Sequence, residues 1–169
     1  MFIRRANVAL DKWWAESDEL HGTSSTFASE REPHADDQAP GFGFGVAEQT
    51  MDEHALLRRL LLGDLHYAKL WLICAALRGA AWDRLPFEQR ELAFQAKDAA
   101  AACLSTVLDS PAYRAALRYA VHDALAPVAF AALFLLKLAS LFPGEVEVPA
   151  LVGQVEQLAG LLSDVAAER

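Results

Sequence analysis

Two stretches of this chain, Leu60 to Leu77 and Asp123 to Phe142, are apolar on nearly every face that a helix would present. A helix that is hydrophobic all round has to be enclosed, by other protein or by lipid. A lone amphipathic helix or a small two-layer fold could not hide both segments. They predict an all-α, multi-helix domain of about six helices, with centrally buried apolar helices wrapped by their neighbours.

Lipid is the first alternative, since about 20 apolar residues suffice to cross a bilayer. The candidate is Ala124 to Phe142. Lys137 falls toward its middle, Pro127 sits near its start, and neither a basic flank nor an aromatic belt frames it. A charge near the centre of a span is costly unless paired. A buried protein helix is therefore expected, with no membrane partner and with Lys137 reaching outward along its alkyl stem.

A chain of 169 residues is long enough for one domain with a real core, so residues 1–169 are expected to form a single helical domain. The formal net charge of −8 argues against direct binding to a phosphate backbone, which needs a basic patch to displace condensed counterions. Cys74 and Cys103 both fall within apolar helical pattern. A free thiol there behaves as a small hydrophobe, and the expectation is two reduced, buried cysteines. Near the start, Asp11 and Lys12 interrupt the apolar residues before a signal-peptide core can form, so a secreted protein is not expected.

The punctuation along the chain is strong. Val8, Leu10, Trp13, Trp14 and Leu20 suggest an amphipathic helix ending near His21-Gly22. Residues 23–49 are rich in Gly, Ser, Pro and acids, lack helical period, and predict a flexible loop. A long helix follows from Asp52 to Arg78, its second half expected to be buried all round, and Gly79 stops it. Pro86 opens the next, through about Leu108, with Glu88 and Glu91 favourable to its dipole. In that helix Ala99 to Ala102 allow a neighbour to approach closely. Ser110-Pro111 reads as the cap and first residue of a short helix to about Val121. Asp123 or Leu125, with Pro127 in the first turn, starts another that stops at Phe142-Pro143-Gly144. The last opens at Pro149, and Leu151, Val155, Leu158, Leu162 and Val165 form its single apolar seam.

Chemistry-bearing residues are sparse. His54, His66 and His122 lie in different segments. The carboxylates nearest to them, Asp52, Glu53, Asp64 and Asp123, do not make the Glu-x-x-His pair on two helices that a di-iron bundle needs. Asp18 and His21 form an i, i+3 pair that a solvated helix end explains. Gly41-Phe42-Gly43-Phe44-Gly45 has neither a preceding strand nor the following Gly-Lys-Ser/Thr of a phosphate loop, and no His-Glu-x-x-His, Cys-x-x-Cys or Gly-x-Ser-x-Gly occurs. Tyr67, Trp71, Phe130 and Phe134 read as core aromatics. No catalytic residue, no metal ligand and no DNA-binding residue is assigned.

Four strings carry a resemblance: Leu-Leu-Leu-Gly-Asp-Leu-His-Tyr-Ala-Lys-Leu-Trp-Leu (60–72) with Ala-Leu-Arg-Gly (76–79); Ala-Lys-Asp-Ala-Ala-Ala-Ala-Cys-Leu (96–104); Leu-Arg-Tyr-Ala-Val-His-Asp (117–123); and Ala-Phe-Ala-Ala-Leu-Phe-Leu-Leu-Lys-Leu (129–138). In this order they resemble the C-terminal part of the regulatory middle homology domain of fungal zinc-cluster transcription factors. Trp13 or Trp14 matches a tryptophan that often sits on the helix before this block. The likeness spans Asp52 to Phe142, and its specificity lies in the order of degenerate strings.

The resemblance implies an all-α regulatory domain that couples a small-molecule effector or a coregulator protein to RNA polymerase II transcription, in the nucleus, with a homodimer as one arrangement. It departs from the family pattern in lacking the six-cysteine zinc cluster and the basic linker. Two cysteines cannot hold that cluster, so zinc and DNA contact are expected only in a domain outside this chain, which would be a fragment or a short product of its gene. No effector-binding residue carries over. The competing readings are a free-standing small-molecule-binding helical module and, behind it, a helical-bundle enzyme.

Overall fold

Where the sequence breaks its apolar period, the structure breaks its helices. The computed structural model describes residues 2–26, 44–119 and 122–167, and side chains outside 20–26, 44–52 and 122–124. The described residues form α1 (Phe2–Thr26), α2 (Phe44–Ala76), α3 (Phe87–Leu108), α4 (Pro111–Leu117), α5 (His122–Leu141) and α6 (Val148–Ala167), with a 3₁₀ turn at Trp82–Arg84. The all-α architecture expected from the sequence is present, and the helices pack against one another.

The ends follow local chemistry. Gly79 turns the chain at φ +81°, a left-handed conformation that a Cβ would disfavour. Pro86 fixes its φ as the residue ahead of α3. At α4 the Ser110 hydroxyl accepts a hydrogen bond from the Tyr113 backbone N–H at 3.2 Å, and Pro111 follows where its missing N–H costs nothing.

Other boundaries differ from expectation. The segment read as a loop, 23–49, is helical at both ends, since α1 continues to Thr26 and α2 begins at Phe44; residues 27–43, with most of the Gly-Phe-Gly-Phe-Gly string, lie outside the described residues. Gly45 and the acidic positions around it follow the long apolar helix instead of ending it, because cooperative extension adds one hydrogen bond per residue to an existing nucleus. α4 stops at Leu117 rather than near Val121. α5 starts at His122, which puts Pro127 inside the helix rather than in its first turn; the ring removes one i to i−4 hydrogen bond close to the helix start.

α3 is the axle. It packs on α2, α4, α5 and α6, and α2 in turn carries α1. Ala93, Ala96, Ala99 and Ala100 let those neighbours come close, and Leu104 and Val107 continue the same buried surface. Around α3 the core takes Leu70, Ile73 and Leu77 from α2, Val128, Ala131, Leu135 and Leu138 from α5, and Leu151 and Leu158 from α6. Gln154 of α6 donates to the Ala101 carbonyl and to the Ser105 hydroxyl, both at 3.0 Å. The seam expected on α6 faces the core, fully at Leu151 and Leu158 and partly at Val155, Leu162 and Val165.

α2 and α5 are not enclosed on every side. Each buries one face and leaves apolar residues on another: Trp71 of α2 is 58% exposed and Leu133 of α5 is 67% exposed. Six helices do not supply enough neighbours to wrap α2, α3 and α5 together, and the small-residue helix α3 takes the centre. Lys137 points to solvent as expected. The aromatics are shared between core edge and surface, with Tyr67 meeting Phe130 edge-on at 6.0 Å and Trp82 meeting Phe134 at 6.5 Å.

Candidate functional site

The direction of the helices creates a groove. Asp11 of α1 pairs with Lys69 of α2, and Asp18 pairs with Arg58, so residue numbers rise along α1 as they fall along α2, and the two helices are antiparallel. α3 returns along α2 after the turn at Gly79. α1 and α3 therefore run in the same direction, both resting on α2 and scarcely touching each other.

The gap between them is lined from three sides. Ile3, Arg4, Asn7 and Asp11 of α1 form one wall. Glu88, Glu91, Leu92, Gln95, Asp98, Ala99 and Ala102 of α3 form the other. Their spacing of three and four residues is what places side chains on one helical face. His66, Lys69 and Ile73 of α2, at spacings of three and four, make the floor of one half. The halves, of about 290 and 400 Å³, meet at Asn7 and Gln95.

Asn7 holds the unusual atom of this groove. Its Oδ1 is shut off from solvent and meets no donor among the described residues. A buried acceptor left unsatisfied costs about 1–3 kcal/mol. Below it, burial pushes the His66 imidazole down from its ordinary pKa and nearby Lys69 pushes the same way, so the ring is held neutral, able to donate from one nitrogen and accept at the other. Lys69 is engaged by Asp11, and Lys97, beside the groove, reaches Asp98 at 3.0 Å. Glu88, Glu91 and Arg4 make no ion pair among the described residues. The arrangement offers hydrogen-bond acceptors and negative charge over an apolar base of Leu92, Ala99 and Ile73.

A second, apolar hollow lies on the opposite side of the α1–α2 contact, lined by Ala6, Ala9, Leu10, Tyr67, Ala68, Trp71 and Leu72. It continues the open apolar face of α2.

Of the histidines and neighbouring carboxylates weighed in the sequence as metal ligands, His66 enters the groove; Glu88 and Glu91, read there as favourable to the helix dipole, line it as well. Glu53 and Asp64 are exposed on α2, His54 lies on the same exposed stretch, and Asp18 serves the ion pair with Arg58. The side chains of His21, Asp52, His122 and Asp123 lie outside the described residues. Among the described residues no group of three or more His, Cys, Asp and Glu is placed to hold a metal ion, and no helix is long and apolar enough to cross a membrane. Cys103 is buried and Cys74 half-buried, neither in a disulfide; burial raises both thiols to about 11, with Asp64 adding to the effect at Cys103.

Asn7, Gln95 and Asp98 were invisible as site residues because nothing in the sequence places α1 beside α3. The legible trace was the polar row Glu88, Glu91, Gln95, Asp98 at helical spacing, which the favourable dipole position of its first two members explains without a site. Compared with known proteins, the chain matches no family model, no curated protein and no solved structure.

Proposed function

We propose that this chain is the helical regulatory part of a nuclear transcription factor of the fungal zinc-cluster kind, and that it responds to a small-molecule effector seated between α1 and α3. The transcriptional part of the reading is supported by the order of the four strings. The effector part is carried by one observation: the groove is lined by α1, α2 and α3 together, so that an occupant would touch three helices at once. A ligand shifts a protein between two packings only by the difference in its affinity for them, and a groove whose walls belong to separate helices is where that difference is largest. The open apolar faces of α2 and α5 supply the surface on which a coregulator protein would sense the change. DNA and zinc belong, on this reading, to another domain.

The test fuses Met1–Arg169 to a heterologous DNA-binding domain and follows a reporter in fungal cells across a panel of metabolites. The expected result is output that changes with at least one metabolite and loses that response in Asn7→Leu, which fills the meeting point of the two half-grooves. Output equal to that of the bare DNA-binding domain under every condition, together with turnover of a small molecule by the purified chain, overturns the regulatory reading in favour of an enzyme.

A further inference from the structure

The apolar hollow between α1 and α2 has a counterpart beside it, an exposed ridge on α5. We infer that the face holding both is a homodimer interface, in which the α5 ridge of each chain enters the α1–α2 hollow of the other. The inference goes beyond the effector reading and does not need it, since the groove lies on the opposite side of the α1–α2 contact. A coregulator would reach α2 and α5 only by displacing the second copy.

Tyr67 joins the two features. It lines the hollow with Leu10 and Trp71, and its ring meets Phe130 of α5 edge-on at 6.0 Å. Phe130, Leu133 and Leu136, spaced three apart, form the ridge, and all are exposed. α5 also runs in the same direction as α2. Arg90, in the first turn of α3, pairs with Glu145, and Phe94 meets Phe142, just past the end of α5, with ring centres 6.2 Å apart, so α5 opposes α3 as α2 does. Hollow and ridge therefore lie side by side along one line, concave next to convex. A two-fold axis along that line, in the plane of contact, brings each ridge over the partner's hollow, which is the self-complementarity that an isologous interface requires.

The area fits a dimer. Leu57 and Leu60 continue the exposed face of α2 at helical spacing from Tyr67 and Trp71. Together with Trp71 and the three ridge residues they leave roughly 550 Å² of apolar side chain open, taking about 200 Å² for a large side chain fully exposed. A standard interface takes about 800 Å² from each partner, of which somewhat over half is apolar. The face thus holds the apolar content of one such patch, and contiguous apolar surface on this scale marks an interaction site. No charged side chain lines the hollow, so the entering ridge desolvates no charge there. Asp64, one turn before Tyr67, and Lys137, two turns after Phe130, are exposed at the two ends of the hollow and ridge, where an interface rim keeps its charges in water. Trp71 and Tyr67 are of the types that concentrate binding energy at interfaces.

The experiment is sedimentation equilibrium of the full chain in the micromolar range. The wild type is expected at the mass of two chains. Leu133→Glu on the ridge and Ala9→Lys in the hollow both alter exposed positions and should each give the mass of one chain, whereas Phe87→Glu, exposed at the start of α3, should remain a dimer. Mixing the Leu133→Glu and Ala9→Lys chains should restore a two-chain species. In the mixed pair one ridge and one hollow are unaltered, and the new glutamate enters the hollow that carries the new lysine, a pairing that neither variant can make with itself. A circular-dichroism melt confirms that each variant is folded. A monomeric wild type overturns the inference and leaves the face to a coregulator or to a segment outside this chain; a dimer that survives both substitutions, or a mixture that stays monomeric, overturns it as well. The reporter fusion reads the effector site separately: silence with a two-chain mass removes the regulatory reading alone, and a response with a one-chain mass removes the dimer alone.

Discussion

Leu135 is 0% exposed and sits where α5 meets α3, so it measures how much the core depends on a single side chain. Leu135→Asp places a charge where no partner exists, and such a group either neutralises or is very costly. Loss of the cooperative thermal transition is expected, checked by circular dichroism; a melting temperature equal to that of the wild type would mean that this face is in contact with solvent. The thiols give the complementary pH dependence. With Cys74 and Cys103 raised from 9.0 to about 11 in the folded chain, the unfolded state loses its thiol protons first as pH rises. The stability that both contribute is complete below pH 9 and is lost as pH climbs toward 11. Denaturant titrations at pH 8 and pH 10 should show a lower midpoint at the higher pH, with the fall reduced in Cys103→Ala. Cysteine burial was legible because both residues sit within apolar pattern. The half-exposed Cys74 follows from the open face of α2, which the pattern does not record.

At the scale of elements, the punctuating residues were readable and the extensions were not. Gly79, Pro86 and Ser110-Pro111 act through their own backbone or side chain, and each ends or starts a helix where its chemistry says it should. The start of α2 at Phe44 and of α5 at His122 depends on propagation from a nucleus further along, which no single residue announces. Apolar surface on all sides was read as enclosure of α2 and α5, yet Trp71 and Leu133 are open while the alanine-rich α3 occupies the middle. Closeness of approach, set by small side chains, decided which helix became central. That arrangement makes Gln154 informative, because its amide reaches from α6 to two acceptors on α3. Gln154→Ala removes the donor to the part-buried Ala101 carbonyl and Ser105 hydroxyl, and a stability loss of about 0.5–1.5 kcal/mol is expected, measured as a shifted urea midpoint at unchanged slope. A shift within error would mean that α6 is held by its Leu151 and Leu158 seam alone.

For the molecule as a whole, the groove is a product of assembly. Its acidic wall is written in one helix, its buried amide in another and its floor in a third, and nothing local predicts that α1 and α3 lie alongside each other on α2. α1 differs from the other helices in how it is held. Its described side chains add partly buried residues such as Ile3 to the core, and its attachment relies on Asp11 with Lys69, Asp18 with Arg58, and the Arg58 guanidinium 5.9 Å from the Trp14 ring centre. Exposed pairs of this kind are individually weak and are screened by salt. The wall that completes the groove thus contributes no fully buried side chain to the core among the described residues. A protein whose competent state is only partly populated shows an affinity reduced by that fraction. On the effector reading proposed above, raising the ionic strength would lower the share of molecules in which α1 closes the groove, and an effector bridging α1 to α3 would work as the clasp that restores it.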